Sequence, residues 1–341
     1  MFRLFATRAA ADLHTQLPEF RQRSPYGQRH GTWHTVANIG DYRTALRVAA
    51  CRSPMTTARG VRMGKGKTGA KAAFSALATP LVDSAVEQAR DIARVPDVEG
   101  IHQLRVTLRS LLTLWWFYRP LMEAREYARQ RSSLKSIANA AGMARDYDIL
   151  IELLRRNDKC SAAGIAALST ARESALQAGR ENLSPPHIQT RLQEALAQTS
   201  ASLGPGSGQP RLRALAQARV AQAARQLRRR TKRAITAGRP DLEAFHDVRK
   251  AGKKTRYLLE LFGPLLPADH RHLLKRLQKI QQPLGELNDL AVSESLLRQN
   301  PHLIPSAHQA KQIRRWLRKK RKNRLSALSC LLRKDRTLKQ A

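Results

Sequence analysis

IHQLRVTLRSLLTLWWFYRPLM spans Ile101–Met122, and FHDVRKAGKKTRYLLELFGPLL spans Phe245–Leu266. Laid over one another without a gap, they place His102 on His246, Arg105 on Arg249, Arg109 on Lys253 and Pro120 on Pro264, at an offset of 144 residues. A second pair follows. AAGMARDYDILIELL (residues 140–154) matches PLGELNDLAVSESLL (283–297), setting Gly142 against Gly285 and Asp146 against Asp289 at an offset of 143. An internal repeat is read before any local element, because it sets the architecture as two copies of one unit. Each unit reads as a His-bearing helix, a break at proline, a helix, a Gly/Asp turn and a further helix.

Helical phase turns these letters into a surface. With His102 at zero and 100° per residue, Arg105 falls at about −60° and Arg109 at about −20°. Leu104, Leu108, Leu111 and Trp115 lie on the far side, so the helix has a core face and a cationic stripe. In the second copy His246, Arg249, Lys253 and Arg256 fall within about 80° of one another, opposite Val248 and Leu259. Like charges this close weaken a helix by a few tenths of a kcal/mol per pair. A bound phosphate chain offsets that repulsion, since Arg offers a forked donor, Lys a point charge and His a ring N–H. The alternative is a solvated charged face; repetition at the same offsets argues against it.

Composition points the same way. The 341-residue chain carries 62 Lys+Arg against 26 Asp+Glu, a formal charge of +36. Such an excess recruits polyanions: polyphosphate, nucleic acid or an acidic membrane. Aromatic residues make up only 5 %, which argues against stacking platforms for single-stranded nucleic acid. With 42 % hydrophobic residues a sizeable core is available. Cys51, Cys160 and Cys330 are scattered, without metal spacing, and read as reduced cytoplasmic thiols. No apolar run reaches the ~18–20 residues of a membrane span. Neither a metal nor a cofactor is expected.

Residues 1–62, broken by Pro and Gly and lacking a sustained apolar period, read as a disordered extension. Met63 is a candidate translation start. From Phe74 onward Leu77, Leu81, Ala85 and Ala89 recur at helical spacing. Asp97 suits the N-cap of the first His helix. Further helices are expected at about 121–139, 144–157, 160–183 and 187–202. LGPGSGQP (203–210) is a linker separating a first helical repeat, about 74–202, from a second, about 211–330. The second should hold helices at about 211–237, 241–263, 269–281, 287–299 and 306–330. No strand pattern stands out, and the expected class is all-α.

HQLRVTLR and HDVRKAGKKTRY, each followed by an apolar run ending in RPLM or GPLL, resemble the CHAD family, the conserved-histidine α-helical domain. AGMARDYD and LGELNDLA resemble its second landmark, and both landmarks stand in both halves, in order, over about residues 68–330. The resemblance implies two four-helix bundles related by pseudo-two-fold symmetry around a basic cavity that binds inorganic polyphosphate. It implies that His102, Arg105, Arg109, His246, Arg249 and Lys253 line that cavity; helical phase adds Arg256. Two departures from the family pattern stand out. Ala141 stands where the second copy has Leu284, which touches packing. Lys253 stands for Arg109, which loses a fork and keeps the charge. CHAD domains often follow a CYTH-type triphosphatase domain; the first 62 residues are too short for one and lack its ExExK signature.

Asp146 and Asp289 read as helix N-caps after a Gly turn, or else as carboxylates that orient a cavity arginine. GKGKTG (64–69) lacks the spacing and preceding strand of a phosphate loop. No nucleophile elbow or triad order is present. RLRALAQARVAQAARQLRRRTKR (211–233) has nine basic residues and no acid, and RRWLRKKRKNR (314–324) is similar. Both read as bundle helices with a basic exposed side. The expectation is a non-catalytic polyphosphate-binding protein of the cytoplasm or of polyphosphate granules. The rival is a nucleic-acid-binding or nucleoid-associated protein using the same charge without sequence specificity.

Overall fold

The computed structural model describes residues 68–95, 97–204, 210–237, 240–267 and 270–334. The expectations for residues 1–62 and for a start at Met63 lie outside the described residues, as does most of the linker. The described residues are helical, without a strand. The first half contains α1 (Phe74–Arg94), α2 (Val98–Tyr118), α3 (Ala124–Arg156), α4 (Ala162–Ala178), the single turn α5 (Arg180–Leu183) and α6 (Pro185–Leu203). The second contains α7 (Leu212–Thr236), α8 (Leu242–Phe262), α9 (His270–Gln299) and α10 (Ala307–Lys334). Both prolines of the repeat sit in a 3₁₀ turn, Arg119–Leu121 after α2 and Gly263–Leu265 after α8.

The two His helices start alike. Asp97 caps α2, accepting from the Gly100 N–H at 2.6 Å, and Asp241 caps α8, accepting from Glu243 and Ala244 at 3.2 Å each. Such a cap satisfies donors the helix cannot. The expected apolar faces are buried: Leu104, Leu108, Leu111 and Trp115 in α2, Val248 and Leu259 in α8, and Leu77, Leu81, Ala85 and Ala89 in α1.

One expectation fails. The Gly/Asp landmarks are not turns, and Asp146 and Asp289 are not N-caps: each lies deep inside an unbroken helix of 33 or 30 residues. The segments expected at 121–139 and 144–157 are both α3, and those at 269–281 and 287–299 are both α9. A glycine inside a helix costs about 1 kcal/mol and a proline roughly 3. Packing outweighs both, since burying one aliphatic side chain contributes about 1.5–3 kcal/mol. α9 buries Leu277, Ile280, Leu284, Leu287 and Leu290 in an unbroken row past Pro283.

Within the first half α2 packs on α1 and α3, α4 on α3, and α6 closes on α1; within the second, α8 packs on α7 and α9, and α10 on α9. The halves meet through matched elements, α2 on α8 and α3 on α9. Like meeting like is the signature of an isologous, two-fold-type contact. Phe117 of α2 stacks on Phe262 of α8 at 3.9 Å between centroids, extending an aromatic cluster of Phe74, Trp115 and Tyr118. Farther out, Leu150, Leu154, Leu290, Leu297, Ile313 and Leu317 form a shared apolar cluster of α3, α9 and α10.

Candidate cationic seam between the repeats

α2, α3, α8 and α9 each send charge to the same place. Arg105 and Arg109 come from α2, Arg145 and Asp146 from α3, Arg249 and Lys253 from α8, and Asp289 from α9. All are half-buried. They act on one another across the repeat boundary: Arg105 feels Arg249, Arg249 feels Arg109 and Asp146, and Lys253 feels Arg109, while Asp289 acts on Lys253 from within its own repeat. Five basic side chains thus face two carboxylates. The duplicated stripes converge into one seam.

The charge is costly to hold there. Burial, then Arg109, pushes the Arg105 guanidinium down to about 10. Burial, then Arg109 and Arg249, pushes the Lys253 ammonium down to about 6. Arg249 is lowered by burial and then by Arg109. Arg105 Nη1 and Arg249 Nε are buried and have no hydrogen-bond partner among the described residues. A buried donor left unsatisfied costs about 1–3 kcal/mol, more when charged. The two arginines are matched by the repeat, and each leaves a buried donor unsatisfied.

Asp146 and Asp289 are the counter-charges. Burial raises both carboxyls, opposed first by Arg105 at Asp146 and by Arg249 at Asp289. Asp289 in turn raises Asp146, so the two carboxylates stand near each other at the α3–α9 contact. Of the two sequence readings for these residues, the one that sets them against cavity arginines fits this placement. Beyond Glu99 beside His102, α2 supplies no acid to its stripe; α3 supplies Asp146 beside Arg105.

The histidines sit outward of the seam, each within its own repeat. His102 keeps an exposed edge, but burial of the rest of the ring and then Arg145 disfavour its imidazolium. His246 is lowered by burial and then by Lys250, while its Nδ1–H donates to Asn288 Oδ1 at 3.1 Å. Arg145 and Asn288 occupy matched places, so the copies differ: one histidine faces a guanidinium, the other an amide. Arg256 lies at the inner end of its stripe, where Glu260 pairs with it at 3.5 Å.

Two clefts open on the seam. One of about 600 Å³ is lined by Arg145, Asp289, Arg156, Lys320, Arg324 and Glu286 between α3, α9 and α10. The other, about 500 Å³, is lined by His246, Arg249, Asn288, Arg298, Arg321 and Glu294. α10 therefore reaches the site, which its charge run alone did not reveal. Part of that run is structural: Arg318 and Arg321 pair with Glu294 at 3.2 and 2.7 Å, and Arg324 pairs with Glu286. Arg219, from the basic run of α7, is buried against Trp116. No group of His, Cys, Asp or Glu among the described residues is placed to hold a metal. None of the described helices is long and apolar enough to cross a membrane.

Fold and seam define a duplicated all-helical domain with a basic centre built from its two repeats. The family model of the CHAD domain matches residues 76–298, and the chain belongs to that family. Among solved structures it is similar to the CHAD domain from the plant Ricinus communis, with a TM-score of 0.61 and 22 % identity over 79 % of this chain and 93 % of that one. It is also similar to PptA from Streptomyces chartreusis, with a TM-score of 0.48 and 16 % identity over 80 % of this chain and 98 % of that one. No curated protein matches significantly.

Proposed function

We propose that the chain binds inorganic polyphosphate along the seam, with Arg105, Arg109, Arg249 and Lys253 as its main contacts and His102 and His246 at its outer ends. The observation that carries this reading is the pair of buried, unsatisfied guanidinium donors, Arg105 Nη1 and Arg249 Nε, one from each repeat. An anion held between the two guanidinium groups offsets their buried charge, and charge-assisted bonds to such groups are the strong ones. A long chain of phosphates engages both repeats at once and gains avidity that orthophosphate lacks. The family resemblance implies the same ligand. The role is binding rather than turnover, in the cytoplasm or on polyphosphate granules.

Nucleic acid is the second reading, favoured by the exposed Lys319, Lys320 and Lys322 of α10. A competition between duplex DNA and long-chain polyphosphate, at matched phosphate concentration and salt, separates the two. Polyphosphate should win, with affinity falling by at most roughly one power of salt concentration per phosphate contact. Preference for the duplex, or equal affinity per phosphate for orthophosphate and the polymer, would overturn the proposal.

A further inference from the structure

α8 carries two adjacent lysines that point to different places. Lys253 enters the seam. Lys254, about 100° further round the helix, enters a second group of cations on the flank where α8 meets α7 and the end of α2. There its Nζ lies 4.4 Å from the centre of the Trp116 ring, and Arg219 of α7 lies over the same ring at 3.5 Å. Arg219 is only 6 % exposed. Its guanidinium donates to the Trp116 carbonyl and to Gln222 Oε1, while its Nε is buried without a partner among the described residues. Burial, then Arg230, Arg219, Arg131 and Arg119, brings the Lys254 ammonium down to about 8.

Carboxylates balance little of this group: of those described, only Asp247, already paired with Lys250, feels Arg230. Among the described residues none of Lys254, Arg219, Arg131, Arg119 and Arg230 forms a salt bridge. Arg230 Nη1 donates to the backbone carbonyl of Asp247 at 3.4 Å, while the Asp247 carboxylate pairs with Lys250 at 2.9 Å. Cation–π contact with Trp116 accounts for Lys254 and Arg219, which it ties to α2. Arg119 lies over the Tyr127 ring at 5.4 Å and Arg230 reaches Asp247, but among the described residues no contact of this kind accounts for Arg131, and all three repel Lys254. Nor is the group inherited from the repeat. The gapless match sets Ser110 against Lys254, Glu260 against Trp116 and Gly263 against Arg119. The places matched to Lys254 and Arg119 hold no cation.

We propose that this flank is a second, unduplicated anion site, which takes a phosphate group through Lys254, Arg230 and Arg131 beside the Trp116 clamp. It rests on its own geometry and stands or falls separately from the seam. The phosphate can belong to a polyphosphate chain passing round α8 from the seam, or to a separate phosphorylated molecule; the chemistry recognised is the same.

Calorimetric titration of the full chain with tripolyphosphate tests it. The unaltered protein should bind two per chain. Lys254→Ser with Arg131→Gln should bind one; serine already occupies the matched place at 110, and Arg131 is exposed, so the fold should survive, with the helical circular-dichroism signal as control. Arg105→Glu with Arg249→Glu should also bind one, and retention of both sites there would sink the seam reading while sparing the flank. Unchanged stoichiometry in Lys254→Ser with Arg131→Gln overturns the flank site. A readout that needs no variant is the Lys254 side-chain NMR titration, whose midpoint should rise by about one pH unit or more at saturating tripolyphosphate. No rise there also overturns the proposal. With long polyphosphate, a tenfold or greater loss of affinity in Lys254→Ser with Arg131→Gln means one chain runs through both sites. Unchanged polymer affinity with the stoichiometric loss means a separate phosphorylated ligand.

Discussion

The Arg105 guanidinium lies against the backbone of Gly142: a Cβ at Gly142 would come within 2.7 Å of Arg105 Nη1. The first landmark of the repeat therefore rests on the second, and the glycine is what lets the arginine lie in the seam. The matched Gly285 has open space around its own Cβ position. Gly142→Ala should leave thermal stability unchanged or higher, because alanine is favoured over glycine in a helix by about 1 kcal/mol. It should weaken polyphosphate binding by about tenfold, the equivalent of one lost charge-assisted bond. Gly285→Ala should gain stability without losing affinity. Equal affinity in the two variants, by calorimetry, would remove the role assigned to Gly142.

Site and bulk charge are separable. Arg105→Glu with Arg249→Glu should cost roughly a hundredfold or more in polyphosphate affinity with the helical signal intact. Lys319→Glu with Lys322→Glu reverses as much charge on the exposed side of α10 and should cost only a few-fold, screened as surface charges are. Arg318 is a poor control, since glutamate there would face Glu294. Equal losses in the two double variants would favour diffuse charge and hence nucleic acid.

Binding should take up protons. Lys253, held down to about 6, is mostly neutral at pH 7 without ligand. His102 and His246 are also lowered and neutral there. An adjacent polyanion raises all three, so the complex holds more protons than the free protein. Affinity must then fall as pH rises from about 6 towards the raised values in the complex. Calorimetry in buffers of different ionisation heat should report the uptake, and Lys253→Arg should flatten the profile above pH 7. The free protein behaves in the opposite sense. Its unfolded lysine binds a proton that the folded one releases, so Lys253 makes stability rise with pH from about 6 towards the ordinary lysine range.

The Phe117–Phe262 stack should staple the halves. Each Phe→Ala change should cost roughly 3–5 kcal/mol. A double-mutant cycle should show about 0.5–1.5 kcal/mol of coupling. Additive losses in denaturant unfolding would mean that the rings merely fill space.

The sequence by itself determined the class, the repeat and the cationic stripes. Those are properties of one helix at a time: the periods that put Leu104, Leu108 and Leu111 on one side of α2 and His102, Arg105 and Arg109 on the other. The proline breaks were legible because proline acts on its own backbone. The Gly/Asp landmarks misled for a related reason. Gly142 and Pro283 disfavour a helix locally, and only the long apolar contact rows of α3 and α9 outweigh them. What meets what was left to the tertiary structure. Asp146 opposes Arg105, Arg145 crowds His102, Glu260 draws Arg256, and Arg219 is buried on Trp116. No spacing rule on one helix reports its neighbours, because pairing across helices depends on docking angle and register. Neighbours in sequence part company for the same reason: Lys253 joins the seam, and Lys254, one position on, joins a different set of charges.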